Sequence, residues 1–212
     1  MERGRHFLSN HRARVYLDVI AGISGKLGFA KVLQLAGLHS WIEGLPPYDD
    51  AREVDFADFS ALNAMLVKMY GPHAGHGMAL RAGRASFLAL APHLTAVLNV
   101  QSTAFQALPP AQRVSAVLQA ITNDNPSGDV QTTFQVAGGQ FIYTASPCPF
   151  CWGQHSAPEN LCHGLVGFLQ QAVEWAGAGD DYRVEEAACA AVKEHKDASC
   201  VFVILKVDQE ER

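Results

Sequence analysis

The five cysteines of this chain all lie in its last third, at a spacing typical of a metal-binding or redox-active group. Cys148 and Cys151 form a Cys-x-x-Cys motif, Cys162 precedes an apolar helical segment, and Cys189 and Cys200 fall in two strand-like segments. Two thiolates on one tight turn can supply adjacent corners of a tetrahedral ligand set, and distant segments can supply the rest. The pattern predicts one structural zinc, bound by four groups from these five cysteines.

Three other interpretations of the cysteines stay open. A Cys-x-x-Cys motif also occurs in thioredoxin-like redox proteins, but there a helix begins directly at the motif, whereas residues 152–160 are typical of a loop. Disulfides of a secreted protein are disfavoured, because the number of cysteines is odd and no signal peptide is visible. One of the five could be a buried small hydrophobe. His163 is a candidate fourth ligand if Cys200 is not one.

Apolar and aromatic residues of the first two thirds could form a pocket for a small hydrophobic molecule. Arg81 and Arg84 could hold a carboxylate of that molecule or pair with acidic residues. Ordinary core packing gives the same helical spacing. The predicted pocket residues are Phe59, Met65, Met69, Met78, Arg81, Arg84 and Phe87. His73, His76 and His93 are weaker candidates for a second metal or a haem, since surface histidines have the same pattern.

Motifs for cofactor-dependent or hydrolytic catalysis are absent from the sequence. No G-x-G-x-x-G follows a strand, and no P-loop, G-x-S-x-G or H-E-x-x-H occurs. The glycine-rich segment 71–83 lies between helices, where close helix packing explains glycines better than phosphate binding. These observations lean against an enzyme without excluding one.

Composition restricts the class of protein and of partner. The net charge of −5 without a basic stripe argues against nucleic acid as the main partner. No run of 18 apolar residues is present, so a membrane span is not expected. We expect a cytoplasmic protein and treat the basic cluster at residues 3–14 as a solvated start.

The hydrophobic period changes along the chain, which predicts an α+β fold in a single domain, 1–212. Residues 1–128 are predicted to be a helical half, with one helix ending at Gly71-Pro72. Residues 129–212 are predicted to be a cysteine-bearing ββαββ half with a small, mostly antiparallel sheet. Gly138-Gly139 is typical of a hairpin turn. Apolar residues on both faces of the last strand, 199–207, predict a cover on each side, from helices or another subunit.

The order of these segments resembles the 4-vinyl reductase domain family, also called hydrocarbon-binding domains. The resemblance rests on Cys-Pro-Phe-Cys-Trp, on Cys162-His163 at the start of a helix with Gly164 and Gly167, and on Cys200-Val201-Phe202. In the helical half it rests on Leu-Ala-Gly-Leu at 35–38, Met-Tyr-Gly at 69–71 and the segment 77–84. One departure is the segment 190–199, which is longer than in the family and lacks its Gly-Asp.

The resemblance implies a fold similar to that of transport-particle subunits and a domain that binds small hydrophobic molecules. We therefore expect a zinc-containing sensor or carrier without its own catalysis, as a homodimer. The first alternative is a 4-vinyl reductase of tetrapyrrole synthesis or its accessory factor. The second is a scaffold subunit without a ligand.

Overall fold

A computed structural model describes residues 3–123, 129–192 and 199–207. The helices are α1 (Asn10–Leu35), α2 (His39–Glu43), α3 (Phe56–Leu98), α4 (Thr103–Gln106), α5 (Pro110–Asn123) and α6 (His163–Trp175). The strands are β1 (Phe7–Ser9), β2 (Arg52–Asp55), β3 (Gln131–Ala137), β4 (Gln140–Ser146), β5 (Tyr182–Ala188) and β6 (Cys200–Lys206). The predicted α+β class, with a helical half and an antiparallel sheet, is confirmed.

The two long helices each contain a break at a glycine. Asp55 caps the start of α3, where its side chain accepts from the backbone N–H of Ala57 at 2.8 Å. The predicted helix end at Gly71-Pro72 coincides with this break: the chain turns at Gly71 (φ 80°), and a second helical segment, which was not predicted, begins at once. Proline is tolerated at the first position of a helical segment, because its missing N–H is not needed there. Helix α1 breaks in the same way at Gly25 (φ 68°).

The four-stranded sheet has the order β3-β4-β6-β5 and is antiparallel throughout. Gly138 and Gly139 both have positive φ, 59° and 79°, as a two-residue type I′ hairpin turn requires. Strand β5 ends at Ala188, before the predicted Val192, and residues 193–198 of the predicted long loop lie outside the described part. A small antiparallel sheet of β1 and β2 was not predicted, because strands of three and four residues leave almost no periodic signal.

The sheet buries one face against the helices. Phe141, Tyr143, Phe202 and Ile204 point to this face and are buried. On the opposite face, residues such as Val203 are only half-buried, so the described residues cover this face only in part. Among the residues that the structure describes, no helix has the length and apolarity needed to cross a membrane.

Helices α3 and α6 lie in direct backbone contact, and glycines make this possible. A β-carbon on Gly83 would overlap the carbonyl oxygen of Gly164, and one on Gly167 would overlap the carbonyl oxygen of Leu80. Close approach of two backbones is a recurrent reason for glycine inside an element. The last glycine of the segment 71–83 therefore serves helix packing, as expected from the sequence.

Candidate ligand cavity and cysteine cluster

A cavity of about 550 Å³ lies between the helical half and the sheet. Helix α3 contributes a stripe at helical spacing, Gly83, Ser86 and Leu90, and α6 contributes Leu165 and Phe168. The start of α1, the strands β3 and β4 and the turn between the first two cysteines complete the wall. The further lining residues used below are His11, Arg12, Tyr16, Phe59, His93, Thr132, Tyr143 and Phe150.

The apolar part of the wall is an aromatic cluster. The ring of Phe150 lies 5.7 Å from that of Tyr16 and 5.3 Å from that of Phe59, between ring centroids. Tyr16 is buried, and its hydroxyl donates to Oδ1 of Asn63 at 2.5 Å. Burial raises the pKa of Tyr16, so the hydroxyl stays a neutral donor. The hydroxyl of Tyr16 therefore already has its acceptor inside the protein, in Asn63.

The polar part of the wall is formed by Arg12, Thr132 and Tyr143. Burial raises the pKa of Tyr143 to about 12, although a hydrogen bond with Thr132 and the charge of Arg12 act in the opposite direction. These three groups give the cavity donors and acceptors next to aromatic walls. A molecule with an apolar body and one polar group matches such a surface.

Most residues predicted from the sequence to contact a ligand lie elsewhere. Phe59 lines the cavity. Phe87 is buried on another side of α3, where its ring centroid is 5.4 Å from that of Phe168 and 5.7 Å from that of Trp175. Arg84 is exposed and donates to Gln170 at 3.1 Å. The remaining members of the predicted set are not in the lining: Met65, Met69, Met78 and Arg81.

Sequence reasoning also missed the cavity residues of the sheet and of the cysteine motif. Tyr143 alternates with polar neighbours in a strand, which predicts only that it faces the core. Phe150 lies inside Cys-Pro-Phe-Cys, a motif that predicts a role for its thiols and none for its ring. Arg12 belongs to the basic cluster at residues 3–14, a pattern typical of a solvent-exposed N-terminal segment. Apart from the Cys-x-x-Cys motif that contains Phe150, no short motif marks these residues.

The cysteine cluster, defined as Cys148, Cys151, Cys162, Cys189 and Cys200, lies directly behind the cavity wall. All five side chains are 0–4% exposed. The Sγ atoms of Cys148 and Cys162 are 3.4 Å apart, and so are those of Cys151 and Cys200. The Sγ of Cys162 lies 3.8 Å from that of Cys189 and 3.6 Å from that of Cys200. Folding therefore brings all five predicted cysteines together.

Two overlapping donor sets can be drawn within this cluster. Ligand atoms of Cys148, Cys151, Cys162 and Cys200 all lie within 4.8 Å of one another. A second set replaces the first two cysteines by Glu186 and Cys189. Thiolate sulfur is the ligand type that soft metal ions prefer.

Burial and mutual hydrogen bonds shift the pKa values of the thiols in opposite directions. Burial raises the pKa of Cys148 to about 11 and that of Cys162 well above its ordinary value, so both remain protonated. Hydrogen bonds from the surrounding thiols, first that of Cys148, lower the pKa of Cys200.

Glu186 closes the cluster on the side of β5. Its Oε2 accepts from the backbone N–H of Cys162 at 2.8 Å, at the first residue before α6. Its Oε1 is buried and has no hydrogen-bond partner among the described residues. Burial, followed by the negative charge of Cys189, raises the pKa of Glu186 to about 9. The carboxyl is therefore neutral at pH 7.

His163 lies outside both donor sets. Its ring stacks on that of His76, with centroids 3.7 Å apart and planes at 28°. Burial and then the neighbouring His76 lower the pKa of His163 to about 4, so the imidazole is neutral. The structure thus uses His163 in the contact between α6 and α3 and does not bring it to the sulfurs as a fourth ligand.

No protein family matches the sequence, and no curated protein matches it either. Similarity is found among solved structures. An H-NOX protein from S. oneidensis in the Fe(II)NO ligation state is 14% identical, over 92% of this chain and 98% of that chain, with a TM-score of 0.51. A mutant of an H-NOX protein from the same organism in the Fe(II) ligation state is 13% identical, over 95% and 97%, with a TM-score of 0.56. The Fe(II) unliganded H-NOX protein from K. algicida is 11% identical, over 95% and 98%, with a TM-score of 0.54.

These comparisons correct two predictions. Membership of the 4-vinyl reductase family is wrong, since the structural neighbours are H-NOX proteins. Structural zinc as the cofactor is also wrong, because the proteins that share the fold contain iron(II). The physical reason is that packed free thiols and metal-bound thiolates give the same sequence spacing and similar sulfur separations. The predicted similarity to transport-particle subunits is not confirmed.

The iron of these neighbours raises the question of whether the cavity fits a haem. Haem iron needs an axial ligand such as histidine, cysteine thiolate, methionine or tyrosine. His11 and His93 line the cavity and are exposed, whereas His73 and His76 do not line it. The thiols are not in the lining, and the tyrosine hydroxyls are hydrogen-bonded and neutral. Among the described lining residues, His11 and His93 are therefore the candidate axial ligands, and what this chain shares with the H-NOX proteins is the fold.

Proposed function

We propose that this protein is a small-ligand sensor domain whose cavity binds a largely apolar molecule with one polar group. The cavity is the observation that carries the proposal: about 550 Å³ lies within the range of roughly 300–1,000 Å³ that is usual for small-molecule sites. Its wall combines the rings of Phe59, Phe150 and Phe168 with the polar groups of Arg12 and Tyr143.

A scaffold without a ligand is the alternative function. Protein interiors are packed to the density of organic crystals, so a scaffold gains stability by filling such a space with side chains. Here the space stays open although neighbouring residues such as Ala89 and Ser86 could be larger. An open, aromatic-lined cavity therefore favours ligand binding over a purely structural role.

Binding can be measured with three probes of graded polarity: indole, 2-naphthol and decanoic acid. Each is titrated into the reduced full chain and followed by calorimetry. Leu90→Trp on α3 projects an indole into the cavity and should weaken binding of the accepted probe at least about tenfold, which corresponds to roughly 1.4 kcal/mol.

Leu88→Trp is the matched control, since Leu88 lies on the same helix but is 52% exposed. It should leave the affinity within about twofold of the wild type. Absence of saturable binding for all three probes, or equal affinities of the two variants, contradicts the proposal.

A further inference from the structure

The cysteine cluster contains two sulfur pairs that share no member. Cys148 pairs with Cys162 and Cys151 pairs with Cys200, each with Sγ atoms 3.4 Å apart. Each pair joins the Cys-x-x-Cys turn to a distant segment, the start of α6 in one case and β6 in the other. Cys189 is the fifth thiol, outside both pairs.

The same turn is part of the cavity wall. Pro149 and Phe150, which stand between Cys148 and Cys151, both line the cavity. The ring of Phe150 is wedged against the backbone of Gly164, two residues after Cys162, so tightly that a β-carbon on Gly164 would overlap it. Any movement of the turn relative to α6 therefore moves this ring.

We propose that the cysteine cluster is an oxidation site, in which a peroxide converts the pairs Cys148–Cys162 and Cys151–Cys200 into disulfides and thereby reshapes the cavity. A thiolate attacks one oxygen of hydrogen peroxide, forms a sulfenic acid and releases hydroxide. The partner thiol then displaces the sulfenic oxygen as water and forms the S–S bond. For each pair, two thiols and one peroxide give one disulfide and two waters.

Closing these bonds requires a local movement. A disulfide has an S–S distance of about 2.05 Å, well below the 3.4 Å of each pair, so the turn must approach both α6 and β6. The Phe150 ring cannot yield toward Gly164, and the rings of Tyr16 and Phe59 hold its other sides. The displacement is therefore transmitted to the cavity surface.

Pro149 and Phe150 line the cavity and stand between Cys148 and Cys151 in the chain, so the cavity is the side from which hydrogen peroxide would approach the buried cluster. The effect on ligand affinity rests on the proposed function, whereas the formation of the two disulfides does not.

In the experiment, the full chain is first reduced and freed of metal with a chelator, and it is then treated with hydrogen peroxide. Disulfides are mapped by proteolysis under non-reducing conditions and mass spectrometry. The expected map contains the linked peptides of Cys148 with Cys162 and of Cys151 with Cys200, and dithiothreitol reverses both. Cys189→Ser is the control that leaves both pairs and should give the same map. Cys148→Ser should lose the first link and keep the second.

Affinity for 2-naphthol is measured on the same samples before oxidation, after oxidation and after reduction. A reversible change of at least about fivefold in Kd is expected. Thiols that stay unreacted or link in other combinations overturn the proposed site, and mapped disulfides with an unchanged Kd overturn its coupling to the cavity. Reduced protein that binds no probe contradicts the proposed function instead, while the wild-type map still decides the disulfides.

Discussion

Gly83 of α3 and Gly164 of α6 touch through their backbones, and no β-carbon fits between them. A β-carbon on Gly83 would overlap the carbonyl oxygen of Gly164 and stand 3.0 Å from the backbone nitrogen of Phe168. Gly164 in turn holds the ring of Phe150, and both glycines line the cavity. This contact therefore sets the separation of the two helices at the cavity wall.

Gly83→Ala should lower the free energy of unfolding, by about 1–3 kcal/mol, because backbone atoms cannot yield to the new methyl group. Gly77→Ala is the matched control on the same helix, with no atom within 4 Å of the added carbon. It should be neutral or stabilising by up to about 1 kcal/mol, since alanine favours helix over glycine. Urea unfolding of both variants measures the difference, and equal effects would contradict the close helix contact.

Tyr16→Phe should lower the free energy of unfolding by about 1–3 kcal/mol. The change removes the hydroxyl that donates to Asn63 at 2.5 Å and leaves a buried amide oxygen without that donor. Combining it with Asn63→Leu removes both polar groups, so the double variant should lose less than the sum of the two single changes. Additive losses in denaturant unfolding would show that the hydrogen bond contributes nothing.

Glu186→Gln should remove a pH dependence of stability. The folded pKa of Glu186, about 9, lies above the ordinary value of 4.5, so the folded state holds a proton that the unfolded state releases. The contribution of this group is fully present below pH 4.5 and is lost as pH rises toward 9. Glutamine does not titrate, so the Glu186→Gln variant keeps its contribution to the unfolding free energy across this pH range. Unfolding free energies from pH 5 to 9 should therefore fall more steeply in the wild type; parallel curves would contradict a neutral Glu186.

Asp129→Asn should weaken the attachment of β1 and β2 to the segment before β3. Asp129 forms an ion pair with Arg52 and accepts from the N–H of Phe7 at 2.7 Å. Burial opposes the charged form, but these hydrogen bonds outweigh it and lower the pKa of Asp129. Because the pair is partly exposed, we expect a loss of only about 0.5–1 kcal/mol at pH 7.

The difference in unfolding free energy between wild type and Asp129→Asn should shrink as pH falls below 3.8. The pKa of Asp129 is lowered in the folded state, so its stabilising contribution is complete above the unfolded value of 3.8 and is lost as pH falls through the lower folded value. Arg52→Gln should give a similar loss, and the double variant should lose little more than either one. A difference that stays constant down to low pH would contradict the ion pair.

The sequence by itself determined the fold class and the order of the longer elements, but not the short strands β1 and β2. Three local signals indicated the β3–β4 hairpin, α5 and α6 to within a few residues: the period of the hydrophobic residues, the glycine pair and the prolines. The break at Gly71-Pro72 was recognised, but not that helical structure continues beyond it. Whether a chain resumes a helix after a break depends on what the next segment packs against, here α6.

Tertiary structure alone decided the site. The clustering of five distant cysteines follows from the sheet register and the position of α6, and their spacing predicted a structural zinc, which the comparisons contradict. The cavity uses Phe59 of the predicted set, whereas Phe87, one face away on α3, packs against Trp175. Which side of a helix faces a cavity depends on the distance between neighbouring elements. Between α3 and α6 this distance is short because Gly83 and Gly167 have no side chains.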